Sequence, residues 1–252
     1  VVYPAGGGVD IISRAVGQHL TESLGQPIVV DNQVGAGTTI GIAQKKPLAP
    51  VVVSDIRKSS EELKNIIDAI IDLSAIDAGA MELKLATVNV VEMLEQVAER
   101  LARPIEQRDL TLNIEVSDDA GSFIADPQRV GQVLGNLLTN AIGFSAAGTA
   151  VRLGARRVGI NVQFWVSDQG KGIDPEFQKH AFDRFQSKPL PGGHRGPGLG
   201  LAIVKSFVEL HEGNVSLLSK PNQGTTVLCT FPIEGPRLAG NRISISPGRQ
   251  QA

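Results

Sequence analysis

Four polar side chains recur on one face of a helix that we predict over residues 127–142. Arg129, Gln132, Asn136 and Asn140 are separated by three, four and four residues, which places them on one helix face. A merely solvated face would favour Glu, Lys or Ala, because Asn is a weaker helix former. Two amide oxygens one turn apart suit a hard cation such as Mg²⁺, whose other ligands are phosphate oxygens and water. The pattern therefore favours a metal and phosphate site.

A carboxylate and two glycines follow a strand predicted over residues 160–167. In VSDQGKGI, Asp168 is followed by Gly170 and Gly172. A carboxylate accepts hydrogen bonds, so it suits the exocyclic amino group of an adenine, and glycines let the base approach the backbone. A tight turn without a ligand explains the same residues, and the segment by itself favours that reading.

Two further segments are weak signals alone and become informative through their order along the chain. FDRF places Phe182 and Phe185 three residues apart, which predicts that both pack on one side in the core. GPGLGLAIVK precedes an apolar helix and supplies Gly196, Gly198 and Gly200. Backbone N–H groups of such a turn and of a helix N-terminus can hold phosphate oxygens. A glycine run alone is a weak signal.

The elements that must position these residues form a mixed α/β domain. Helices are predicted over residues 89–107, 127–142 and 199–211. Strands are predicted over residues 110–116, 122–125, 149–157, 160–167, 214–219 and 224–232. We assign residues 81–235 to this domain and residues 236–252 to a polar tail that we predict to be mobile.

Residues 47–80 are predicted to form a linker and a long helix over 51–78, ended by Gly79. Ser54 is its predicted N-cap. The apolar stripe of this helix includes Leu63, Ile66 and Ile70. So wide a stripe is rarely left in water, so we predict self-association through this helix.

The first 46 residues predict a small βαβ-like unit. VVYP and QPIVVDN are predicted strands, residues 11–24 a helix, and GAGTTIG a flexible glycine loop. One such unit cannot cover both faces of its own sheet, so it is expected to be marginal alone.

Four motifs follow one another in the order of the asparagine, first glycine, phenylalanine and second glycine boxes of sensor histidine kinases. They are NLLTNA, DQGKGI, FDRF and GPGLGLAIVK. Residues 51–235 resemble that family. The resemblance implies an α/β sandwich of the Bergerat (GHKL) type, shared with DNA gyrase and the MutL proteins. It also implies that residues 51–78 are the second helix of the dimerisation and phosphotransfer hairpin.

The resemblance implies a site for ATP and Mg²⁺. Asn136 and Asn140 would hold Mg²⁺ and phosphate oxygens. Asp168 would bind the adenine amino group beside a wall shaped by Gly170 and Gly172.

The remaining implied contacts with ATP come from Phe144 and the second glycine box. Phe144 would line the base pocket. Gly196, Gly198 and Gly200 would form a lid hinge and a phosphate cradle, with Arg195 as an adjacent cation.

The chain departs from the family pattern at two positions near the phosphates. Gly143 stands where the family usually has Lys or Arg, and Pro197 removes one backbone N–H donor. Lys171, Lys188 and Arg195 are candidates for the missing charge, although each also suits a solvated surface.

The family's phosphoacceptor is missing from the sequence. Histidine kinases phosphorylate a His in the first hairpin helix, where an acidic residue follows it, and no such motif precedes residues 51–78. His19 is followed by Leu20, and His180, His194 and His211 lie within the ATPase span.

We therefore expect a Mg-ATP-binding kinase module that does not autophosphorylate alone, and whose complete kinase would engage a response regulator. The alternative is a nucleotide-binding pseudokinase that dimerises without phosphoryl transfer. A weaker alternative is a small-carboxylate-binding protein, because residues 1–46 resemble the start of tripartite tricarboxylate transporter solute-binding proteins, with Asp10 at a carboxylate-binding position. That family needs two complete lobes.

The composition of the chain bears on nucleic-acid binding, on membrane insertion and on the role of its cysteine. A net charge of −2 over 252 residues predicts no broad basic face for nucleic acid. No apolar run approaches the ~18 residues of a membrane span, so we expect no membrane segment and a cytoplasmic location. The single Cys229 lies in a strand-like run and is predicted to be buried.

Overall fold

The computed structural model describes residues 29–31, 39–41, 50–186 and 198–237. The chain forms two compact units, Val1–Glu61 and Glu62–Ala252. In the first, β1 (Val29–Asp31) pairs antiparallel with β2 (Thr39–Gly41). The prediction that GAGTTIG is only a flexible loop is therefore wrong, because the β-branched Thr39 and Ile40 pair with β1. The helix predicted over 11–24 and the strand VVYP lie outside the described residues.

The predicted long helix is confirmed as α1, Pro50–Asp77, and Gly79 follows it with a φ of 63°. The helix begins at Pro50, so the prediction of Ser54 as its N-cap is wrong. Proline fits the first helical turn because its missing N–H has no partner in the helix there. Among the described residues, no helix is both long and apolar enough to cross a membrane.

A five-stranded sheet forms the centre of the second unit. Its strands, in spatial order, are β4 (Thr111–Val116), β6 (Ala150–Val158), β7 (Asn161–Ser167), β9 (Thr225–Pro232) and β8 (Asn214–Ser219). β4 and β6 are parallel, and the other neighbouring pairs are antiparallel. A separate pair joins β3 (Ala86–Asn89) antiparallel to β5 (Ser122–Ala125).

Helices cover one face of this sheet. They are α2 (Val90–Arg100), α3 (Ala102–Gln107), α4 (Pro127–Phe144), α5 (Pro175–Gln178) and α6 (Gly200–Leu210). α4 packs against α6 and the sheet, and the buried core includes Leu134, Phe164 and Phe207. The result is the α/β sandwich that the sequence predicted. Cys229 is buried in it, as predicted, and burial raises the pKa of its thiol to about 12.

Three local predictions change in the structure. The helix predicted over 89–107 is broken at Leu101, because a proline at 104 clashes with the carbonyl four residues earlier in a continuous helix. The strand β3 was not predicted, although the equally short β5 was. The four-residue helix α5 was missed because a single turn is too short to show helical periodicity.

The only tryptophan of the chain lies on the opposite face of the sheet from α4 and α6. Phe164 is buried in the core, so Trp165, its neighbour on β7, points the other way. Its indole lies across Gly154 of β6, where a Cβ would overlap the ring. The guanidinium of Arg156 lies 5.8 Å from the ring centroid.

A buried hydrogen-bond network ties the start of α4 to the end of α6. Asp126 caps α4 by accepting from the N–H groups of Gln128 and Arg129, and its other oxygen accepts from Lys84 N–H at 2.8 Å. Asp126 N–H donates to His211 Nε2 at 3.1 Å, and the Nδ1 of His211 donates to Phe207 O at 2.7 Å. These bonds require the neutral imidazole.

We expect this network to weaken as the pH falls. Burial lowers the pKa of His211, so the unfolded chain binds the proton more readily than the folded chain. The stability contribution is full above the ordinary His pKa of ~6.5 and is lost as the pH falls towards the folded value, by at most about 1.4 kcal/mol per pH unit. Urea unfolding between pH 8 and 5 measures this slope. His211→Gln keeps one donor and one acceptor without titrating, and an unchanged slope in that variant would contradict the assignment.

Candidate functional site

A cavity of about 380 Å³ opens between α4, the end of β7 and the start of α6. It brings together most of the residues that the sequence assigned to the site. The sequence-predicted residues on its wall are Asn136, Asn140, Phe144, Asp168, Gly172, Gly198 and Gly200. Gly170 adjoins Asp168, whereas Arg195 and Gly196 lie outside the described residues.

The amides of α4 form one part of the cavity wall. Asn136 and Asn140 lie one turn apart and are half-buried. Neither side chain hydrogen-bonds to any part of the chain that the structure describes. A Cβ on Gly200 would lie 3.8 Å from Asn140 Nδ2, so the start of α6 faces the same amide. Two amides are thus available to a polar ligand.

The other two polar residues of this helix face do not join the site. Arg129 Nη1 donates to Asp72 Oδ2 of α1 and to Gln132 Oε1, both at 3.0 Å, and Gln132 Nε2 donates to the same Asp72 oxygen at 3.2 Å. The guanidinium of Arg129 also lies 4.8 Å from the ring centroid of Phe207. Arg129 and Gln132, which were predicted only to share the helix face, thus contact α1 instead of the cavity.

Asp168 stands at the end of β7 with one oxygen committed to the backbone. Its Oδ1 accepts from Gly170 N–H at 2.8 Å and from Thr225 N–H at 3.2 Å. Burial raises the pKa of Asp168, while these two donors favour the carboxylate. Oδ2 has no partner among residues 50–186 and 198–237. One acceptor therefore remains for a ligand.

Two glycines let the backbone pass close to Asp168. Gly172 has a φ of +64°, and a Cβ there would overlap the carbonyl oxygen of Lys220. Gly224 has a φ of +80°, and a Cβ there would overlap the carbonyl oxygen of Asp168. Gly224 and Thr225 were not predicted as site residues. The sign of these two residues in the sequence is the glycine in QGTT, just before β9. A glycine at such a place is equally typical of an ordinary turn.

The phenylalanine predictions have different outcomes. Phe144 lines the cavity, and its carbonyl oxygen lies against Gly170, where a Cβ would overlap it. Phe182 packs against the core, but Phe185 is 67% exposed with a φ of 63°. The prediction that both Phe rings share the core is therefore wrong, because Phe185 lies in a turn where helical spacing does not apply.

The position of the family's missing cation does not face the cavity. Gly143 is buried and does not line the site, and its carbonyl accepts from Arg108 Nη1 at 3.2 Å. Lys171 is exposed and lies on the cavity wall. Lys188 and Pro197 lie outside the described residues.

The comparisons with known proteins agree with this geometry. Residues 125–235 match the family model described as histidine kinase-, DNA gyrase B-, and HSP90-like ATPase. The α/β sandwich of the second unit is the GHKL ATPase fold of the histidine kinase catalytic domains.

The relatives are a sensor protein and a histidine kinase of greater length. The sensor protein DivL of Caulobacter vibrioides is 38% identical over 180 residues, covering 71% of this chain and 23% of DivL. The circadian input-output histidine kinase CikA of Synechococcus elongatus is 34% identical over 184 residues, 71% of this chain and 24% of CikA. The chain thus spans about a quarter of these relatives.

A solved structure covers more of the chain. The full-length ShkA structure in complex with AMPPNP has a TM-score of 0.65 and 27% identity, covering 89% of this chain and 45% of ShkA. The Acinetobacter baumannii histidine kinase AdeS shares the fold, with a TM-score of 0.64 and 20% identity over 75% of this chain and 87% of that structure.

Proposed function

We propose that residues 81–235 bind Mg-ATP as the catalytic module of a sensor histidine kinase. The observation that carries this proposal is one cavity with two unpartnered amides on α4 and an unpartnered carboxylate oxygen at Asp168, judged among the residues that the structure describes. The AMPPNP complex of ShkA supports a nucleotide as the ligand.

The order of residues along α4 sets the orientation of the nucleotide. Asn136, Asn140 and Phe144 follow one another at intervals of four residues, so the first and last lie roughly 12 Å apart along the helix axis. Asp168 belongs to the Phe144 end, because Gly170 links the two. We therefore assign adenine to Asp168 and Phe144, and the phosphates to Asn136 and Asn140.

The donor set fits Mg²⁺. Asn136 and Asn140 offer neutral amide oxygens, which suit a hard cation that shares phosphate oxygens with the protein. When bound, Mg²⁺ neutralises charge on the phosphates. Gly200 at the start of α6 faces the amide of Asn140, and the N–H groups of this helix start could donate to phosphate oxygens.

The catalytic role needs partners beyond this module. We propose that a histidine on another helix or chain accepts the phosphoryl group, and that the complete kinase passes it to a response regulator. The exposed side chains Leu63, Ile67, Ile70 and Ile71 of α1 support self-association through that helix. A pseudokinase would bind nucleotide in the same cavity, so only phosphoryl transfer separates the two functions.

The two ends of the cavity should respond differently to substitution. Asn140→Ala is expected to weaken Mg-ATP by about 1–3 kcal/mol and adenosine little, whereas Asp168→Ala should weaken both by a similar amount. Isothermal titration calorimetry with each ligand measures this. Asn113→Ala, an exposed asparagine on β4, is the matched control. If neither site variant changes Mg-ATP binding, the assigned site is wrong.

The resemblance of residues 1–46 to solute-binding proteins remains a separate proposal. Asp10, its carboxylate-binding position, lies outside the described residues. Titration with a small tricarboxylate tests it, and the Asp168→Ala variant should leave any such binding unchanged.

A further inference from the structure

One wall residue of the cavity comes from α1 rather than from the ATPase boxes. Asn65 lines the cavity together with Asn136, Thr139 and Asn140, and all four belong to the unit Glu62–Ala252. The side chain of Asn65 is exposed at the cavity rim, and it makes no hydrogen bond with the described residues. Its amide is thus available to a ligand.

The contacts of α1 show which end of the cavity Asn65 faces. Asp72 of α1 meets Arg129 and Gln132 of α4. Asn65 lies seven residues before Asp72 on α1, and Asn140 lies eight residues after Gln132 on α4. Each interval corresponds to roughly 10–12 Å along the helix axis. Asn65 lines the cavity at this distance from the contact, and the cavity residues of α4 that follow the contact first are Asn136 and Asn140, ahead of Phe144. Asn65 therefore belongs to the amide end, which the proposed function assigns to phosphates.

α1 is held in this place by contacts along the same face. Ala69 and Leu73 are buried in the core at 5% and 3% exposure. The Asp72 and Arg129 side chains are only 13% and 20% exposed, so their ion pair is partly shielded from water. Further along, Arg184 forms a two-bond ion pair with Asp77 at 2.6 and 2.8 Å. The second half of the helix is thus fixed on the ATPase domain.

We propose that Asn65 donates its amide N–H to a phosphate oxygen of the bound nucleoside triphosphate, which makes α1 part of the nucleotide site. This inference rests on the proposed function. Because Asn65 reaches the cavity from a helix that is docked through Ala69, Asp72 and Leu73, phosphate binding and helix docking stabilise each other, and this coupling is reciprocal. A neutral amide suits the role, since it donates to phosphate without desolvating a charge.

The test uses the whole chain, with Mg-ATP and adenosine as ligands in calorimetry. Asn65→Ala is expected to weaken Mg-ATP about three- to tenfold and adenosine less than about twofold, the effect of one lost hydrogen bond. Alanine favours the helix, so folding is retained. Ser74→Ala, an exposed polar position on the same helix that does not line the cavity, is expected to leave both affinities unchanged.

A double-mutant cycle tests the coupling. In an Asp72→Ala background, Asn65→Ala is expected to have a smaller effect on Mg-ATP, because one of the contacts that hold residue 65 at the cavity is removed. If Asn65→Ala leaves Mg-ATP unchanged while Asn140→Ala weakens it, this inference is overturned and the proposed function stands. If the unsubstituted chain binds neither ligand, both are overturned.

Discussion

Gly172→Ala is expected to destabilise the domain by about 2–5 kcal/mol and to weaken adenosine binding. Two costs combine. A residue with a Cβ loses about 1–2 kcal/mol at the φ of +64° found here, and overlap with the carbonyl oxygen of Lys220 adds about 1–3 kcal/mol. The strain is relieved if the loop after Asp168 and the turn between β8 and β9 move apart, and this disturbs the wall of the cavity beside the carboxylate.

Gly159→Ala separates these two costs. Gly159 has a nearly identical φ of +62°, and a Cβ there would meet no atom within 4 Å, so only the backbone cost of about 1–2 kcal/mol applies. Urea unfolding of both variants gives the free energies, and adenosine titration gives the effect on the site. Equal destabilisation by the two substitutions would show that the close approach to Lys220 carries no cost.

Only one side of the turn at Asp168 was predictable from the sequence. Asp168, Gly170 and Gly172 are close neighbours in the chain, so a motif reveals them. Gly224 and Thr225 reach the same place only because β7 pairs with β9, with Ser167 opposite Thr226. A pairing between segments almost sixty residues apart leaves no local pattern, so these residues were not predicted.

The polar face of α4 shows a different limit. Periodicity places Arg129, Gln132, Asn136 and Asn140 on the same side, and the helix confirms this spacing. The periodicity of the sequence cannot show which partner each side chain contacts. An acidic residue on α1 engages the first two, whereas the second two face the cavity. The helix face was predictable and the division of its roles was not, because that depends on where α1 docks.

No phosphohistidine is expected when the purified 252-residue chain is incubated with labelled Mg-ATP alone. Phosphoryl transfer depends mainly on holding the acceptor in line with the γ-phosphate. His211 is followed by Glu212 in the sequence, but it is 1% exposed and both ring nitrogens are hydrogen-bonded. His180 is exposed and bonded to Asp183, and neither it nor His211 lines the cavity. His19 and His194 lie outside the described residues.

The same assay should give a positive result when an acceptor is supplied. Adding the separately purified acceptor hairpin of a related histidine kinase is expected to yield acid-labile, base-stable label on that hairpin. Asn140→Ala should reduce this label, whereas Asn113→Ala should not. Absence of transfer despite Mg-ATP binding would favour the pseudokinase alternative. Stoichiometric label at His19 or His180 of this chain would contradict the prediction.

The position of Trp165 provides the domain with an optical readout of folding that is separate from the ligand site. The chain has one tryptophan, and its ring lies across Gly154 on the face of the sheet that α4 and α6 do not cover. Intrinsic fluorescence therefore reports the packing of β6 against β7, while the ligand cavity on the other side contains no indole to be quenched. Unfolding in the presence of nucleotide can therefore be followed through a residue that does not line the cavity.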